Sequence, residues 1–402
     1  MKMQMKKSRI AAVVFSLALL EAPLLADKKS VDCGKGQSLN DALQKLSSGD
    51  TLSFTGTCGE AVTITGSGIT LNGQGSAVIS SPKASSDALT IGGAQRVTLQ
   101  SFSVRNGNSG IHATGGAGVT LQNIVAQNNA LNGILVEGSS TAYISGSTSK
   151  NNLNGMDVEN TSSVIFNGDF LAQGNFVFGI NLGTTSSATV NAGTVTATQN
   201  ALGIQVSITS SWFLSNPGAT VRTTNNATVG LTVVSGSHLF SFGGALVSSG
   251  NGLDGFDLAS RAGMDLDAAS QVSSFNNQRD GVHVEELSLV NLFNNPQFSG
   301  NPGFTTLQVY NNAGNGVSLL NNSQLHMFLQ AKILAHNNTT EGIQVDDGSS
   351  MTLLNSTVQT NPKDVVLTFG SRAEFTGNTI GTLTCDASSA IRGDTGKTCP
   401  TP

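Results

Sequence analysis

Charge is scarce in this chain. Asp, Glu, Lys and Arg make up 11% of its 402 residues, and 20 basic side chains face 25 acidic ones. The basic residues form no stripe, which argues against nucleic acid as a partner. Aromatic residues are also few, 5% of the chain with a single Trp, a low figure for a globular enzyme. Only four cysteines occur, in two local pairs, Cys33/Cys58 and Cys385/Cys399. Their spacing resembles no metal-binding pattern, so they read as two disulfides closing the two ends of an exported chain. No apolar run reaches transmembrane length. Ile10–Leu20 follows Lys2, Lys6, Lys7 and Arg9 and is stopped by Glu21, so residues 1–26 read as a signal peptide. Between Gly73 and Thr384 there is no linker, charge run or break in composition. Residues 27–402 therefore read as one domain, with a cap at about 33–60, a repeat region at about 61–380 and a disulfide-closed tail at 381–402.

What the chain has is one short phrase, repeated ten times: Asn, three loose residues, Gly, then apolar-x-apolar. Asn129–Gly133, Asn151–Gly155, Asn175–Gly179 and Asn251–Gly255 carry it, and it runs from Asn106–Gly110 to Asn338–Gly342. The fifth copy has Gln199 in place of Asn. Intervals between the glycines are 22–27 residues, apart from one of 35 after Gly281. After each Gly the alternation has the two-residue period of a strand, as in Ile134-Leu135-Val136. A second run (Val119-Thr120-Leu121) and a third (Ser101-Phe102-Ser103-Val104) complete each repeat. Three short strands per repeat predict an all-β chain, a single-stranded right-handed parallel β-helix of about fourteen rungs and 65–70 Å. Leucine-rich repeats share the period, but their Leu-x-x-Leu-x-Leu framework is missing. The Asn column is expected to hydrogen-bond from rung to rung, with Gly supplying a positive φ at the turn.

Leu39, Ala42, Leu43 and Leu46 have helical spacing, with Ser38 as N-cap, and predict a short capping helix over the first rung. The Ser-Leu-x-Asp-Ala-Leu helix is followed by Gly49-Asp50-Thr51, a Gly-x-Cys-x-Glu turn and Ile69-Thr70-Leu71-Asn72-Gly73. This opening resembles that of pectin-lyase-like right-handed β-helix proteins, and with the repeats the resemblance covers roughly residues 31–385. It implies the fold and leaves the activity open, since lyases, hydrolases, epimerases and non-catalytic adhesins share it.

Charge is not spread evenly over the outward positions of the repeats. The first outward position after each Gly reads His112, Leu135, Asp157, Asn181, Gln205, Thr232, Asp257, His283, Ser318, Gln344, and the residue before Gly becomes Asp at 254 and 280. Asp254, Asp280 and His283 are therefore the candidate catalytic residues, because paired carboxylates beside a His suit acid–base work on a sugar. Asp257, Glu285 and Arg279 are candidate substrate contacts, as is Trp212 in the irregular stretch 207–225; a further irregular loop carries Phe293, Phe298 and Phe304. The phrase Leu253-Asp254-Gly255-Phe256-Asp257 also resembles a polygalacturonase segment with a catalytic Asp. That match carries over to Asp254, and to Asp280 one rung on, but the rest of that family's pattern is missing. A calcium-assisted lyase would draw on Asp257, Glu285 and Arg279, so calcium is the one cofactor left open. Glu137, Asp157 and Glu159 form a second acidic patch without an evident cation, and His112 reads as isolated. The expectation is an exported, extracellular or periplasmic monomer with no membrane span. It binds a polysaccharide on one sheet face, with hydrolase or lyase cleavage of that polysaccharide left open. The competing class is a non-catalytic spacer or adhesin-like rod.

Overall fold

The computed structural model describes residues 28–402, except 301, 394, 395, 397 and 400–402. The signal peptide expected at 1–26 lies outside the described residues. From Lys28 onward the chain winds as a parallel β-solenoid whose strands pair only with the rungs before and after. A 14-stranded sheet forms one face, and a 28-stranded sheet, two strands per rung, wraps the rest. One rung is Thr141–Ser145, Ser147–Lys150 and Asn154–Val158. The alternation seen in the sequence is the inside–outside alternation of the strands: Thr141–Ser145 has only Ala142 and Ile144 buried. Inward residues stack in columns, such as Ile134, Met156, Ile180 and Ile204, all fully buried. Each such side chain contributes about 1.5–3 kcal/mol of burial.

The rungs begin earlier than expected. Lys28–Asp32 pairs with Thr51–Thr55, so a strand precedes the cap. The capping helix is short, Leu39–Leu43, and the Ser38 side chain accepts from Asp41 N–H as its N-cap. Glu60 accepts from Leu39 N–H at 2.5 Å and from the Ser38 hydroxyl at 3.0 Å, tying the helix to the first rungs. Cys33–Cys58 and Cys385–Cys399 are both bonded. Among the described residues, no helix is long and apolar enough to cross a membrane.

The asparagine column exists and includes Asn129, Asn175, Asn226, Asn251, Asn277, Asn312 and Asn338 as expected, but it departs from the expectation at Asn106, Asn151 and Gln199. The hydrogen-bonded ladder runs through Asn129, Asn152, Asn175, Asn200, Asn226, Asn251, Asn277, Asn312, Asn338 and Asn361. Asn151 and Gln199 are not members. They belong to the preceding column, where φ is +55° and +58°, alongside Asn106, Asn225 and Asn276. From Asn152 to Asn361 each ladder oxygen accepts the main-chain N–H and the side-chain amide of the rung before it, as Asn152 Oδ1 does from Asn129 at 2.9 and 3.0 Å.

The glycines also have a different reason for being there. None from Gly110 to Gly342 in the repeated phrase has a positive φ. A Cβ on any of them would instead fall 2.6–2.8 Å from Nδ2 of the next rung's ladder asparagine, as Gly133 shows against Asn152. Glycine therefore makes room for the amide, and the strained backbone sits at the residue before the ladder. Exceptions at the two ends follow the same rule. Ala88 occupies the glycine column where the next rung carries Gly107, which has no side chain. At the far end Asp364 occupies that column, and its own carboxylate accepts from Asn361 N–H and Nδ2, both at 3.0 Å.

Candidate functional site

The outward column on the 14-stranded sheet aligns as the repeats predict. Asp157 pairs in register with Asn181, Asn181 with Gln205, Gln205 with Thr232, Thr232 with Asp257, Asp257 with His283, His283 with Ser318 and Ser318 with Gln344. All eight side chains can hydrogen-bond. Most are recessed: Asp157, Asn181, Thr232, His283 and Ser318 are buried.

Asp254, Asp257, Arg279, Asp280, His283 and Glu285 come together over two rungs, but in unequal roles. Asp254 is fully buried. Its carboxylate accepts from Arg279 Nε at 2.7 Å, from the Arg279 NH2 group, and from Asp280 N–H at 3.0 Å. Asp254 is thus a brace for the Arg279–Asp280 turn. That hydrogen bond, with the charges of Asp254, Asp280 and Asp257, holds the Arg279 guanidinium above its usual range, which disqualifies it as a proton acceptor. Asp280 accepts from Asn315 N–H at 2.7 Å through one oxygen and meets His283 Nδ1 at 3.0 Å through the other. Burial alone would lower the His283 imidazole, but the Asp280 hydrogen bond and the charges of Asp254 and Asp280 outweigh it and raise the pKa. Asp257 is pushed up by burial, against the pull of the His283 charge, and its Oδ2 accepts from Thr232 Oγ1 at 3.1 Å. His283 Nε2 lies 3.6 Å from Glu285 Oε2.

A second centre lies at the other end of the same face. His112 is not isolated: its Nδ1 is 2.7 Å from Asp87 Oδ2 and its Nε2 is 2.9 Å from Glu137 Oε1. The Asp87 hydrogen bond is the main cause raising the His112 pKa, opposed by burial and reinforced by Glu137. In Asp87 burial works upward, but the bonds from His112 and Ser109 N–H prevail and hold the carboxyl below its usual range. Beside them Asp157 is pushed up to about 6, first by burial and then by the charges of Glu159 and Glu137, while the Asn181 amide bond at 2.8 Å pulls the other way. The second acidic patch therefore has a basic partner, His112 beside Glu137, which it was expected to lack.

The sequence profile described as a right-handed β-helix region matches residues 51–195 and 87–252, which together span half of the chain. The chain belongs to the right-handed β-helix family. Solved structures with a similar course include the A-module of the mannuronan C-5 epimerase AlgE6 of Azotobacter vinelandii, at 12% identity over 89% of this chain and 94% of that one, with a TM-score of 0.43. The periplasmic alginate epimerase AlgG matches at 13% identity over 92% and 82%, with a TM-score of 0.46. The GH87 α-1,3-glucanase catalytic unit of Streptomyces thermodiastaticus matches at 14% over 94% and 69%, with a TM-score of 0.39. No curated protein matches the chain in sequence.

Within this β-helix, Trp212 cannot contact a substrate. It is fully buried in the strand Ser211–Leu214, stacked on Phe166 at 6.0 Å between ring centres. Its alternation partner Phe213 is the outward residue, stacked on Phe240 at 4.9 Å on the 28-stranded sheet. The extra residues of the 35-residue interval form a one-turn helix, Pro296–Ser299, and Phe304 packs under the Lys332 ammonium at 5.3 Å. Asp87 is the residue missed by sequence reasoning. It occupies the column of Asp254 and Asp280, but on a rung where Ala88 replaces the repeat's Gly, so the phrase does not mark it.

Proposed function

We propose that this β-helix protein is exported and binds an uncharged polysaccharide along the outward face of its 14-stranded sheet, with His283, oriented by Asp280, as the proton-transfer residue at the bound chain. The observation that carries the reading is the unbroken column of hydrogen-bonding side chains from Asp157 to Gln344. Donors and acceptors repeat along it at about 4.8 Å, a regular array suited to a ligand with regularly repeating hydroxyl groups. The corresponding column on the 28-stranded sheet also carries Thr189, Asp265, Asn291 and His326, but Ile165, Phe213 and Phe240 interrupt it.

Charge favours a neutral ligand. Asp157, Asp257, Asp280, Glu137, Glu159 and Glu285 line the face, and its one Arg is already paired with Asp254; a bare polyanion would be repelled. Abstraction of a proton beside a uronate carboxylate by Arg279 has no support in a guanidinium held so firmly in its charged form. Asp254, closed off by Arg279, acts as a positioning residue, so acid–base work falls to the Asp280–His283 pair. Two disulfides agree with export.

The test is affinity electrophoresis of chelator-treated protein in gels containing neutral or acidic polysaccharides, with reducing ends and unsaturated-uronate absorbance measured in parallel. Retention by a neutral polysaccharide is expected. The double variant Gln205→Ala/Thr232→Ala should weaken it about thirtyfold if two hydrogen bonds of about 1 kcal/mol are lost. New reducing ends that disappear in His283→Gln would establish hydrolysis. Passage through every gel unretarded would return the chain to the class of a non-binding rod.

A further inference from the structure

The two histidines on this face differ in one respect that matters. Both nitrogens of His112 lie within hydrogen-bond distance of carboxylates, so that ring is closed on both sides. In His283 only Nδ1 is so engaged, by Asp280 at 3.0 Å. Because the carboxylate there accepts, Nδ1 is the donor, and in the neutral ring Nε2 then presents its lone pair. Nε2 faces Glu285 Oε2 at 3.6 Å, too far for a hydrogen bond.

That distance fits another purpose. Two donor atoms each about 2.1 Å from a tetrahedral ion are separated by about 3.4 Å. Asp257, the in-register partner of His283 on the preceding rung, supplies a third donor. The ligand atoms of Asp257, His283 and Glu285 all lie within 4.8 Å of one another. The supporting bonds are also in place: Asp280 orients the imidazole from behind, and Thr232 holds one oxygen of Asp257 at 3.1 Å.

We propose that Asp257, His283 and Glu285 form a three-ligand site for a divalent first-row transition ion of the zinc type, with the remaining coordination position open toward the face of the sheet. Calcium fits poorly, since it takes six to eight oxygen ligands whereas this set includes an imidazole nitrogen. Asp254, Asp280 and His283 also bring ligand atoms within 4.8 Å, but binding there would displace Arg279 from a buried carboxylate and Asp280 from the imidazole. The outer set needs neither displacement. An ion held there would occupy His283 Nε2, so His283 is free to transfer a proton only in the metal-free protein; the ion would instead offset part of the acidic charge of the face and present a Lewis acid to an oxygen bound beside it.

The proposal does not rest on the polysaccharide reading, because it is measured with no sugar present. The mature chain, stripped with EDTA and returned to metal-free buffer, is titrated with zinc chloride by isothermal calorimetry. One ion per chain is expected, with affinity reduced at least about tenfold in His283→Gln and in Glu285→Gln. Glu137→Gln, at the closed histidine, should bind like the parent. Circular dichroism confirms that each variant is folded. Absence of binding, equal affinity in the parent and both ligand variants, or displacement of zinc by stoichiometric calcium would overturn the assignment. Retention of the metal-free protein in a neutral polysaccharide gel would leave the binding reading standing on its own.

Discussion

Asn151 and Asn152 are adjacent and chemically identical, yet replacing them should have very unequal consequences. Asn152 is fully buried. Its oxygen accepts two bonds from Asn129, and its amide donates to Ala126 O at 3.3 Å, Ser149 Oγ at 3.1 Å and Asn175 Oδ1 at 3.2 Å. Asn152→Ala strands two donors of Asn129 and frees an acceptor on Asn175 in a site that excludes water. A buried polar group left unpaired costs about 1–3 kcal/mol, so a loss of about 3–5 kcal/mol is expected after partial relaxation. Asn151 is exposed and sits at φ +55°. Glycine adopts that backbone without steric cost, so Asn151→Gly should change stability by less than about 1 kcal/mol. Urea denaturation followed by Trp212 fluorescence reads both, because the indole is the only one in the chain and is buried in the core. Circular dichroism on the same samples tests whether the rungs unfold together. If Asn151→Gly destabilises as much as Asn152→Ala, the assignment of the ladder is wrong.

Gly155→Ala should cost about 1–3 kcal/mol, because the new methyl would meet Asn175 Nδ2 at 2.7 Å; an unchanged urea midpoint would refute the room-making role of that glycine column. Asp157 has its pKa raised from 3.8 to about 6 in the fold, so the folded state holds the proton more tightly than the unfolded chain does. Its contribution to stability is therefore greatest below pH about 4 and falls by about 2–3 kcal/mol as pH rises through 6. Asp157→Asn should flatten that part of the stability–pH curve and raise stability at pH 8, and a variant with the parent's slope would count against it.

The period, the three strands per rung and the outward column from His112 to Gln344 were legible because each rung repeats the same inside–outside alternation. The asparagine ladder was legible on most rungs, but not at Asn106, Asn151 and Gln199. Several rungs carry a polar doublet, Asn128-Asn129, Asn151-Asn152, Gln199-Asn200 or Asn225-Asn226, in which the first residue takes the left-handed backbone and the second the buried bonds. Counting back four from Gly picks the wrong member wherever the connection is one residue shorter, as at Gly155 and Gly203. Trp212 was misplaced for a related reason. In Ser211-Trp212-Phe213-Leu214 both central residues are large and apolar, so alternation alone does not say which points inward; register with Ala188 and Leu239 does. The candidate cluster was located correctly from column positions. That Arg279 would seal Asp254, leaving His283 as the open group, depends on side-chain directions that column positions do not carry.

The end of the ladder bears on how far the ladder itself can run. Every asparagine from Asn129 to Asn338 accepts from the rung before and donates to the ladder asparagine of the rung after, so the series has a chemical direction. Asp364 reverses that at the last step: a carboxylate accepts from Asn361 and from Thr382 N–H at 2.7 Å but has no amide to pass on. It also fills, with its own side chain, the space that every earlier glycine leaves for its successor. Another asparagine rung could not be joined there without Asp364 becoming glycine, because the unit that repeats is a glycine of one turn and the asparagine of the next. A single side chain thus ends the asparagine ladder, while the strands themselves pair for one turn more, Val365 with Leu383 and Arg372 with Ala390.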